Sequence, residues 1–305
     1  MSLWYNKYNY SPVYANVKFF FIVLFTFCAA LKISAQICTA PGQNPSTAFP
    51  VCGTSTFSQN TVPICGGRAL PSPSCINNGL RDVNPFWYKF TCFKAGTLGF
   101  EITPSNLNDD YDWEIYDITG RNPDDIYTDG KLVISSNWSG EGGVTGASTG
   151  GTQAIVCGGF GKPLFSSMPA LQVNHNYLML VSHFTNSQSG YKLSFKGGSA
   201  IITDSAQPKL RNVDASCGGD VLRLGLNKKI KCSSITASGS EFYIMPNVAS
   251  ISSVAGINCT SQFDTDSFEL KFSSFLPPGD YTLHIKKGSD VNTLLDYCDN
   301  SVPET

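Results

Sequence analysis

The stretch Asn84-Pro85-Phe86-Trp87-Tyr88-Lys89-Phe90-Thr91-Cys92 decides the fold of this chain. Bulky aromatic side chains alternate with polar ones in it, which is the pattern of a half-buried β-strand. Short runs of the same kind, bounded by Gly, Asn, Asp or Pro, recur at 98–102, 113–116, 132–134, 177–181 and 191–195. Several short strands without a long helical stretch predict an all-β fold built as an antiparallel β-sandwich.

The composition agrees with a β protein and excludes some classes of function. The 305 residues include 20 Phe and 13 Tyr, and aromatic residues favour strands. Hydrophobic residues make up 42% of the chain, enough for a packed core, so a disordered protein is excluded. The 21 basic side chains nearly balance the 23 acidic ones, so no positive surface is predicted to bind nucleic acid.

The first 35 residues have the pattern of a secretory signal peptide. They contain Lys7, Lys18 and Lys32 but no acidic residue, and they include an almost uninterrupted apolar run at 19–31. A basic start, a short apolar run and small residues before the cleavage point are typical of a signal that is removed on export. We therefore predict a signal peptide at 1–35 and a secreted or cell-surface protein with no membrane span after cleavage. A retained anchor is the alternative, but the run is short for one.

Ten cysteines remain after the signal peptide, and in an exported chain they predict a disulfide framework. The ten are Cys38, Cys52, Cys65, Cys75, Cys92, Cys157, Cys217, Cys232, Cys259 and Cys298. A zinc site is not predicted, because the chain has no Cys-x-x-Cys pair and only three histidines. Six of these cysteines precede the proposed domain boundary and four follow it. We therefore expect all ten to be paired within their own domains, with Cys259 bonded to Cys298.

The chain divides into two predicted β-sandwich domains, 36–203 and 204–305. The first begins with a segment rich in Pro, Gly, Ser and Asn at 36–80, which we expect to wrap the domain as loops held by disulfides. The stretch 139–151, rich in Gly, Ser and Thr, is predicted to be a long exposed loop. In the second domain six strands are predicted, at 210–213, 221–226, 242–245, 251–254, 268–272 and 281–286.

The second domain is one strand short of an immunoglobulin-like sandwich, which has about seven strands. Its last residues, 299–305, contain one aliphatic residue and a proline, and such a sequence is unsuited to a closing strand. The sequence therefore predicts that this domain lacks its last strand and that the chain is a piece of a longer protein.

Several motifs resemble known bacterial families. The residues Trp87-Tyr88-Lys89-Phe90, Ala95-Gly96-Thr97-Leu98 and Asp110-Tyr111-Asp112-Trp113-Glu114-Ile115-Tyr116-Asp117 resemble the hallmarks of the pre-peptidase C-terminal β-sandwich. With Asn137-Trp138-Ser139-Gly140 and Ser189-Gly190-Tyr191, this half is similar to N-terminal domains of gliding-motility-associated surface proteins of type IX secretion bacteria. In the second half, Gly279-Asp280-Tyr281-Thr282-Leu283 and Leu295-Asp296-Tyr297-Cys298 resemble the bacterial Ig-like modules of such proteins.

The resemblance implies a fold and a location, and it implies no active site. The first half would be a jelly-roll or pre-peptidase C-terminal-like sandwich and the second an Ig-like sandwich. Proteins of these families are exported to the cell surface and have a binding or spacing role there. We therefore expect a non-catalytic adhesive or structural module, the N-terminal part of a larger gliding-motility-associated surface protein. Its expected partners are surface glycans or other surface proteins.

Four aspartates form the candidate metal site of the sequence. Asp109, Asp110, Asp112 and Asp117 lie within nine residues, and Ca²⁺ prefers carboxylate and carbonyl oxygens on loops. The alternative is a plain turn at 108–110 followed by a strand on which Asp112 faces solvent. No EF-hand spacing accompanies the aspartates. Calcium is thus the one cofactor for which the sequence offers residues, and no other cofactor is expected.

No catalytic signature is found in the sequence. His183 follows a serine at a predicted strand end, but no Gly-x-Ser-x-Gly elbow accompanies it, and a Ser-His-Asp triad is recognised by geometry rather than spacing. Glu101, Glu114 and Asp112 lie on predicted strands, and nothing in the sequence marks one of them as the buried acid of a glycosidase. We therefore expect ordinary surface histidines and no enzyme.

Trp138 is the candidate ligand contact. It stands beside the Gly- and Ser-rich stretch 139–151, whereas Trp87 and Trp113 alternate with polar neighbours as core residues of strands do. An aromatic side chain exposed on a β-sandwich can stack on a sugar ring. The alternative function is therefore a carbohydrate-binding module of an extracellular polysaccharide-acting protein, with Trp138 in the binding site.

Overall fold

The computed structural model describes residues 36–53, 55–76 and 78–305, and it is an all-β, disulfide-stabilised fold of several sheets. The predicted signal peptide at 1–35 lies outside the described residues. The strands of the first half are β1 (Phe49–Pro50), β2 (Thr56–Thr61), β3 (Gly66–Ala69), β4 (Arg81–Val83), β5 (Phe86–Thr91), β6 (Gly96–Thr97), β7 (Phe100–Pro104), β8 (Tyr111–Asp117), β9 (Val133–Ser139), β10 (Thr145–Ser148), β11 (Ile155–Gly159), β12 (Phe165–Ser167), β13 (Ala170–Leu171), β14 (Asn176–His183) and β15 (Ser189–Phe195). The strands of the second half are β16 (Leu210–Ala215), β17 (Val221–Lys231), β18 (Phe242–Met245), β19 (Ile251–Gly256), β20 (Asp264–Phe272) and β21 (Thr282–Ile285).

Helical structure is confined to short 3₁₀ turns in this part of the chain. They lie at Pro45–Thr47, Pro123–Tyr127, Gly130–Leu132 and Cys232–Ser234. Among the described residues, none of these helices has the length and hydropathy needed to cross a membrane.

The first half is a β-sandwich of two main sheets. A six-stranded sheet has the order β1-β5-β14-β8-β9-β11, and a five-stranded sheet has the order β12-β10-β7-β15-β2. Side chains between the two sheets form the first core, in which the Trp113 ring packs edge-on against Phe100 at 4.7 Å. The Trp113 indole N–H donates to the Thr145 hydroxyl at 3.2 Å. Strand β5, the predicted fold-deciding strand, contributes Tyr88 and Phe90 to this core.

The opposite, outer face of the six-stranded sheet is also buried. Trp87, Tyr116 and Trp138 lie in a second core, which they form with residues from the segments 70–80 and 126–132. Since successive side chains of a strand alternate between the two faces, a sheet covered on both faces has strands that are buried along most of their length. Strand β8 accordingly has six buried residues in succession.

The connections of the first half differ from the predicted purely antiparallel sandwich. Strands β9, β10, β11 and β12 alternate between the two sheets, so the chain returns to each sheet in the same direction. This makes β9 parallel to β11 and β10 parallel to β12, and β1 is parallel to β5 at the sheet edge. The stretch 139–151 contains strand β10 and is not one long loop. Its glycines permit close pairing with β7, because a Cβ at Gly146 would collide with the Phe100 carbonyl.

The N-terminal segment 36–80 is more than a wrap of loops. It supplies β2, which pairs with β15 at the edge of the five-stranded sheet, and β3, which pairs with β4. The Asp82 carboxylate fixes this pair by accepting hydrogen bonds from the backbone N–H groups of Gly67 and Arg68 and from the Tyr127 hydroxyl. We call residues 70–76 and 78–83 the covering segment, because they lie over the outer face of the six-stranded sheet.

All six strands predicted for the second half are present. Strands β16, β17, β20 and β19 form a four-stranded antiparallel sheet, and β18 pairs with β21. Leu224, Phe242 and Phe268 are in the core of this half. No seventh strand is found among the described residues after β21, but the tail packs back on this half. Val302 is buried in the core, and the Thr305 backbone N–H donates to the Ile285 carbonyl of β21.

The two halves belong to one compact unit, 37–305. The Lys89 ammonium on β5 forms an ion pair with the buried Asp264 of β20 at 2.9 Å. The ring of Phe49 packs edge-on against Phe263 at 4.8 Å and against Tyr297 at 5.1 Å. An ion pair and an aromatic cluster thus join the first sandwich to the second.

The described residues contain four disulfides, which correct the predicted pairing. They join Cys38 to Cys65, Cys52 to Cys298, Cys75 to Cys157 and Cys232 to Cys259. The prediction that no bridge crosses between the halves is wrong, because Cys52 lies where the halves meet and bonds Cys298, which leaves Cys259 for Cys232. The prediction that all ten cysteines are paired is also wrong. Cys92 is buried in the first core and Cys217 is exposed on the second half, so these two thiols cannot meet.

Candidate functional site

A pocket of about 390 Å³ opens on the outer face of the six-stranded sheet. Part of the covering segment forms one wall, and Asp112 of β8 and Trp138 of β9 lie at its floor. Asp110 stands beside the floor, and the exposed rings of Phe160 and Phe184 stand at the mouth. We call this feature the acidic pocket.

The alternation of strand β8 puts carboxyl groups on this side of the sheet. Trp113 and Ile115 point into the first core, so Asp112 and Glu114 point to the outer face. Asp112 pairs across the sheet with Ser182 and is only 5% exposed. Within the described residues its carboxylate accepts no hydrogen bond and forms no ion pair. The alternative in which Asp112 faces solvent is therefore wrong, because the covering segment buries it.

The carboxyl groups of the pocket have raised pKa values. Burial, followed by the charges of Asp110 and Glu114, raises the pKa of Asp112 well above its ordinary value. Asp110 is half-buried, and its Oδ1 has no hydrogen-bond partner in the described part of the chain. Burial, with the charge of Glu141, raises the pKa of Asp110 to about 6. The pocket thus holds acidic groups whose ionised form the fold does not stabilise.

Glu114 lies behind the pocket on the same strand and is fully buried. Its Oε2 accepts a hydrogen bond from the Tyr116 hydroxyl at 2.9 Å, whereas its Oε1 has no partner among the described residues. Burial raises the pKa of Glu114 to about 8, against the lowering effects of the Tyr116 hydroxyl and of the nearby Trp138 indole N–H. The sequence did not mark Glu114 as a buried acid, and the structure corrects that interpretation.

Two phenyl rings form the mouth of the pocket. Phe160 is 86% exposed and Phe184 is 66% exposed. The first follows β11, where the Gly140 backbone N–H donates to the Gly159 carbonyl at 2.9 Å. The second is held by its own backbone N–H, which donates to the Asp110 carbonyl at 3.0 Å. Because both rings line the pocket, they present apolar surface to a ligand that enters it.

The structure does not bring together the four aspartates of the predicted calcium site. Asp110 and Asp112 line the pocket, but Asp109 is buried beside a histidine. Asp117 is at the other end of β8, where its Oδ2 lies 2.6 Å from Nδ1 of His175. Within the described ranges, no group of three or more His, Cys, Asp or Glu side chains is placed to hold a metal ion.

A serine, a histidine and an aspartate do meet, but their geometry is not that of a catalytic triad. The Ser187 hydroxyl donates to Asp109 Oδ2 at 3.0 Å, and both groups approach Nε2 of His183, at 3.4 and 3.5 Å. A triad has the acid on one ring nitrogen and the nucleophile on the other, whereas His183 Nδ1 has no partner among the described residues. The expected surface histidine is in fact fully buried, and burial lowers its pKa despite Asp109.

Trp138 lines the pocket, but it is not the exposed ring that its sequence position suggested. It is only 5% exposed, because it belongs to the second core beneath the covering segment. The exposed rings that line the pocket are those of Phe160 and Phe184, which the sequence analysis missed. Each had a local signal: Phe160 stands alone between Gly159 and Gly161, and Phe184 follows a strand and precedes a polar turn.

Comparison of the chain with protein-family models and with curated proteins found no match. The fold and the site therefore define the protein by class alone, as a disulfide-stabilised all-β protein with an acidic, aromatic-rimmed pocket. The pocket offers carboxyl oxygens that have no hydrogen-bond partner among the described residues and two exposed ring faces, and its own side-chain donors are Asn78, Arg81 and the Trp138 indole N–H. Chemically, it can bind a ligand that brings donors or positive charge.

Proposed function

We propose that this chain is an exported, non-catalytic adhesive or structural module of a cell surface, the N-terminal part of a larger gliding-motility-associated surface protein. The Cys52–Cys298 disulfide is the observation that carries the proposal. An all-β body with four disulfides is also compatible with an extracellular protein. A module that links a surface to what it adheres to has to carry force, and this disulfide meets that need.

The disulfide gives the chain a covalent bypass for tension. It joins residues 246 positions apart, and nearly all strands of both sandwiches lie between them. When the chain is pulled from its two ends, tension passes from the C-terminal tail through Cys298 to Cys52. The Cys38–Cys65 disulfide places the segment between Cys52 and Cys65, with strand β2, in parallel with 39–51, so that segment shares the load. The hydrogen bonds among the remaining enclosed strands are outside this path, so these strands stay folded under load.

Force spectroscopy on the mature protein, residues 36–305, tests the bypass. Under oxidising conditions, stretching from the two ends should extend only the residues outside the 52–298 loop and the segment between Cys52 and Cys65, which the Cys38–Cys65 disulfide places in the load path. Reduction should release a further length of about 800–890 Å, since each of the 246 residues spans about 3.3–3.6 Å when extended. Release of that length before reduction would contradict the bypass.

Adhesion under flow tests the functional part of the proposal. Beads coated with the mature protein should hold to cells that display the partner, and beads with the double variant C52A/C298A should detach at lower flow. The double variant C232A/C259A removes a bridge that lies inside the loop and should behave like the unmodified protein. No adhesion by the unmodified protein to cells or to their purified surface polymers would overturn the adhesive role.

A carbohydrate-binding module is the second candidate function, and the exposed rings of Phe160 and Phe184 favour it. Sugar rings stack on aromatic faces, and sugar hydroxyls can donate to the carboxyl groups of the pocket. In that case polysaccharide binding should be lost in the double variant F160A/F184A. It should be retained in F275A, which removes an exposed ring from the second half. Retained binding in F160A/F184A would exclude these rings as the sugar contact.

A further inference from the structure

We infer that the acidic pocket binds a basic side chain, the guanidinium or ammonium group of an arginine or lysine presented by a partner protein. The inference rests on the proposed adhesive function and names the chemistry of its partner. Three features carry it: carboxyl oxygens without partners among the described residues, the absence of an ion pair between them and Arg81 in the same residues, and the rings at the mouth.

Asp112 is a carboxylate that the fold buries, and no other described residue bonds to it. A buried carboxylate is costly to dehydrate, so it normally accepts hydrogen bonds or pairs with a cation. Other buried acids of this chain follow the rule: Asp82 accepts three hydrogen bonds, and Asp264 is paired with Lys89. Among the described residues, neither the Asp112 carboxylate nor Oδ1 of Asp110 has such a partner. These are acceptors that a ligand can satisfy.

The pocket is lined by one arginine, Arg81, which does not neutralise its carboxyl groups. The Arg81 guanidinium donates to the Gly67 carbonyl at 2.8 Å and forms no ion pair with either aspartate in the described structure. Glu114 behind the floor and Glu141 beside Asp110 add further acidic groups. The complement of the pocket is therefore a positive group that brings several donors, as a guanidinium does.

The mouth suits a cation at the end of an apolar stem. The face of a phenyl ring attracts a cation within about 6 Å of its centre, and Phe160 and Phe184 are both open to solvent. The methylene groups of an Arg or Lys side chain can pack on these rings while the charged end reaches the aspartates. A volume of about 390 Å³ accommodates one such side chain.

A neutral sugar would use the same rings and could donate to the same oxygens, but it would bring no charge. The raised pKa values of Asp110 and Asp112 arise from burial and from neighbouring acids, and a bound cation offsets both effects. The electrostatics of the pocket therefore favour a cation over a sugar.

Calorimetric titration of the mature protein with two probes tests the inference. Nα-acetyl-arginine methylamide should bind at least about tenfold more tightly than its neutral isostere, Nα-acetyl-citrulline methylamide. The affinity for the arginine probe should rise from about pH 5 to about pH 8, because the cation requires ionised aspartates and the pKa of Asp110 is about 6. Binding of Nα-acetyl-lysine methylamide in preference to the citrulline probe would also support the inference.

The variant Asp112→Asn separates binding from folding. It keeps the size of the side chain and removes its charge, so the affinity for the arginine probe should fall at least about tenfold. Since the Asp112 carboxylate has no partner in the described residues, the thermal midpoint should stay the same or rise. The control Asp280→Asn makes the same charge change in an exposed turn of the second half and should leave the affinity unchanged.

Equal affinity for the arginine and citrulline probes would overturn the inference, because the pocket would then recognise shape and not charge. Binding of glucose or N-acetylglucosamine without binding of a cationic probe would overturn it in favour of the carbohydrate alternative, and binding of no probe would overturn it as well. The force bypass does not involve Asp112, so D112N should leave the stretching result unchanged. The two proposals can therefore fail separately.

Discussion

Removal of the Cys52–Cys298 disulfide should destabilise the protein more than removal of the Cys232–Cys259 disulfide. The perturbation is the double variant C52A/C298A, compared with C232A/C259A. Alanine is preferred to serine because Cys52 is fully buried, and a buried hydroxyl would add a cost of its own. Both variants remove one bridge, and the two bridges close loops of very different length.

The magnitude follows from the restriction that each bridge places on the unfolded chain, which grows with the logarithm of the loop length. The Cys75–Cys157 and Cys232–Cys259 bridges lie inside the 246-residue loop and shorten the path around it to roughly 140 residues. Chain entropy then gives about 5 kcal/mol for the Cys52–Cys298 bridge. The 27-residue loop of Cys232–Cys259 gives about 3.5 kcal/mol by the same relation.

Urea unfolding followed by tryptophan fluorescence measures the two losses. Thiol titration in denaturant should count two thiols, Cys92 and Cys217, in the mature protein and in both variants, which verifies that the other bridges are intact. A loss below about 1 kcal/mol for C52A/C298A, or a larger loss for C232A/C259A, would refute the reasoning. Either result would mean that the long loop does not restrain the unfolded chain.

Two further predictions concern charged groups. Glu114→Gln should raise the free energy of unfolding at about pH 8. The pKa of Glu114 in the folded protein is about 8, above its ordinary value of 4.5, so its ionisation as pH rises between these values destabilises the folded protein by on the order of 3–5 kcal/mol. Glutamine does not ionise and avoids this loss. Thermal midpoints from about pH 5 to about pH 8 check this, and an equal pH slope in both proteins would contradict it. Lys228→Met removes the cation that pairs with the buried Asp296 and with Asp204, and it should lower the free energy of unfolding in urea by roughly 3 kcal/mol. Arg223→Met breaks only an exposed pair with Glu269 and should lower it by less than about 1 kcal/mol, so equal losses would exclude a special role for Lys228.

The strands that the sequence predicts are those that carry their own hydrophobic alternation. Strands β5, β8 and β14 have large apolar side chains at every second position, and this pattern needs no knowledge of the partner strand. Strands β2 and β10 were missed, because Thr56–Thr61 and Thr145–Ser148 consist mainly of small or polar residues. They are strands because β15 and β7 present free edges to them, which is a property of the assembled sheet.

The sequence identified two residues of the pocket, but it did not predict that they are buried. Asp112 and Trp138 were both singled out, and both line the pocket. Their burial was not predicted, since it depends on the covering segment folding over the sheet. That arrangement is fixed by the Cys75–Cys157 bridge, and spacing alone cannot tell which cysteines pair. The pairing of Cys52 with Cys298 escaped prediction for the same reason.

The acidic pocket lies on the sheet whose edge strand leads to Cys52. Asp112 is on β8, and the sheet order β1-β5-β14-β8 places only two strands between β8 and β1. The chain leaves β1 at Pro50, the Val51 backbone N–H donates to the Lys89 carbonyl of β5 at 3.0 Å, and the next residue is Cys52. Load applied by a partner at the pocket would cross the hydrogen bonds between these strands before it reaches Cys52, so the disulfide bypass protects the chain against pulling at its two ends and not against this load. A cation bound at Asp112, as inferred above, would attach the partner to the sheet whose edge strand leads to Cys52.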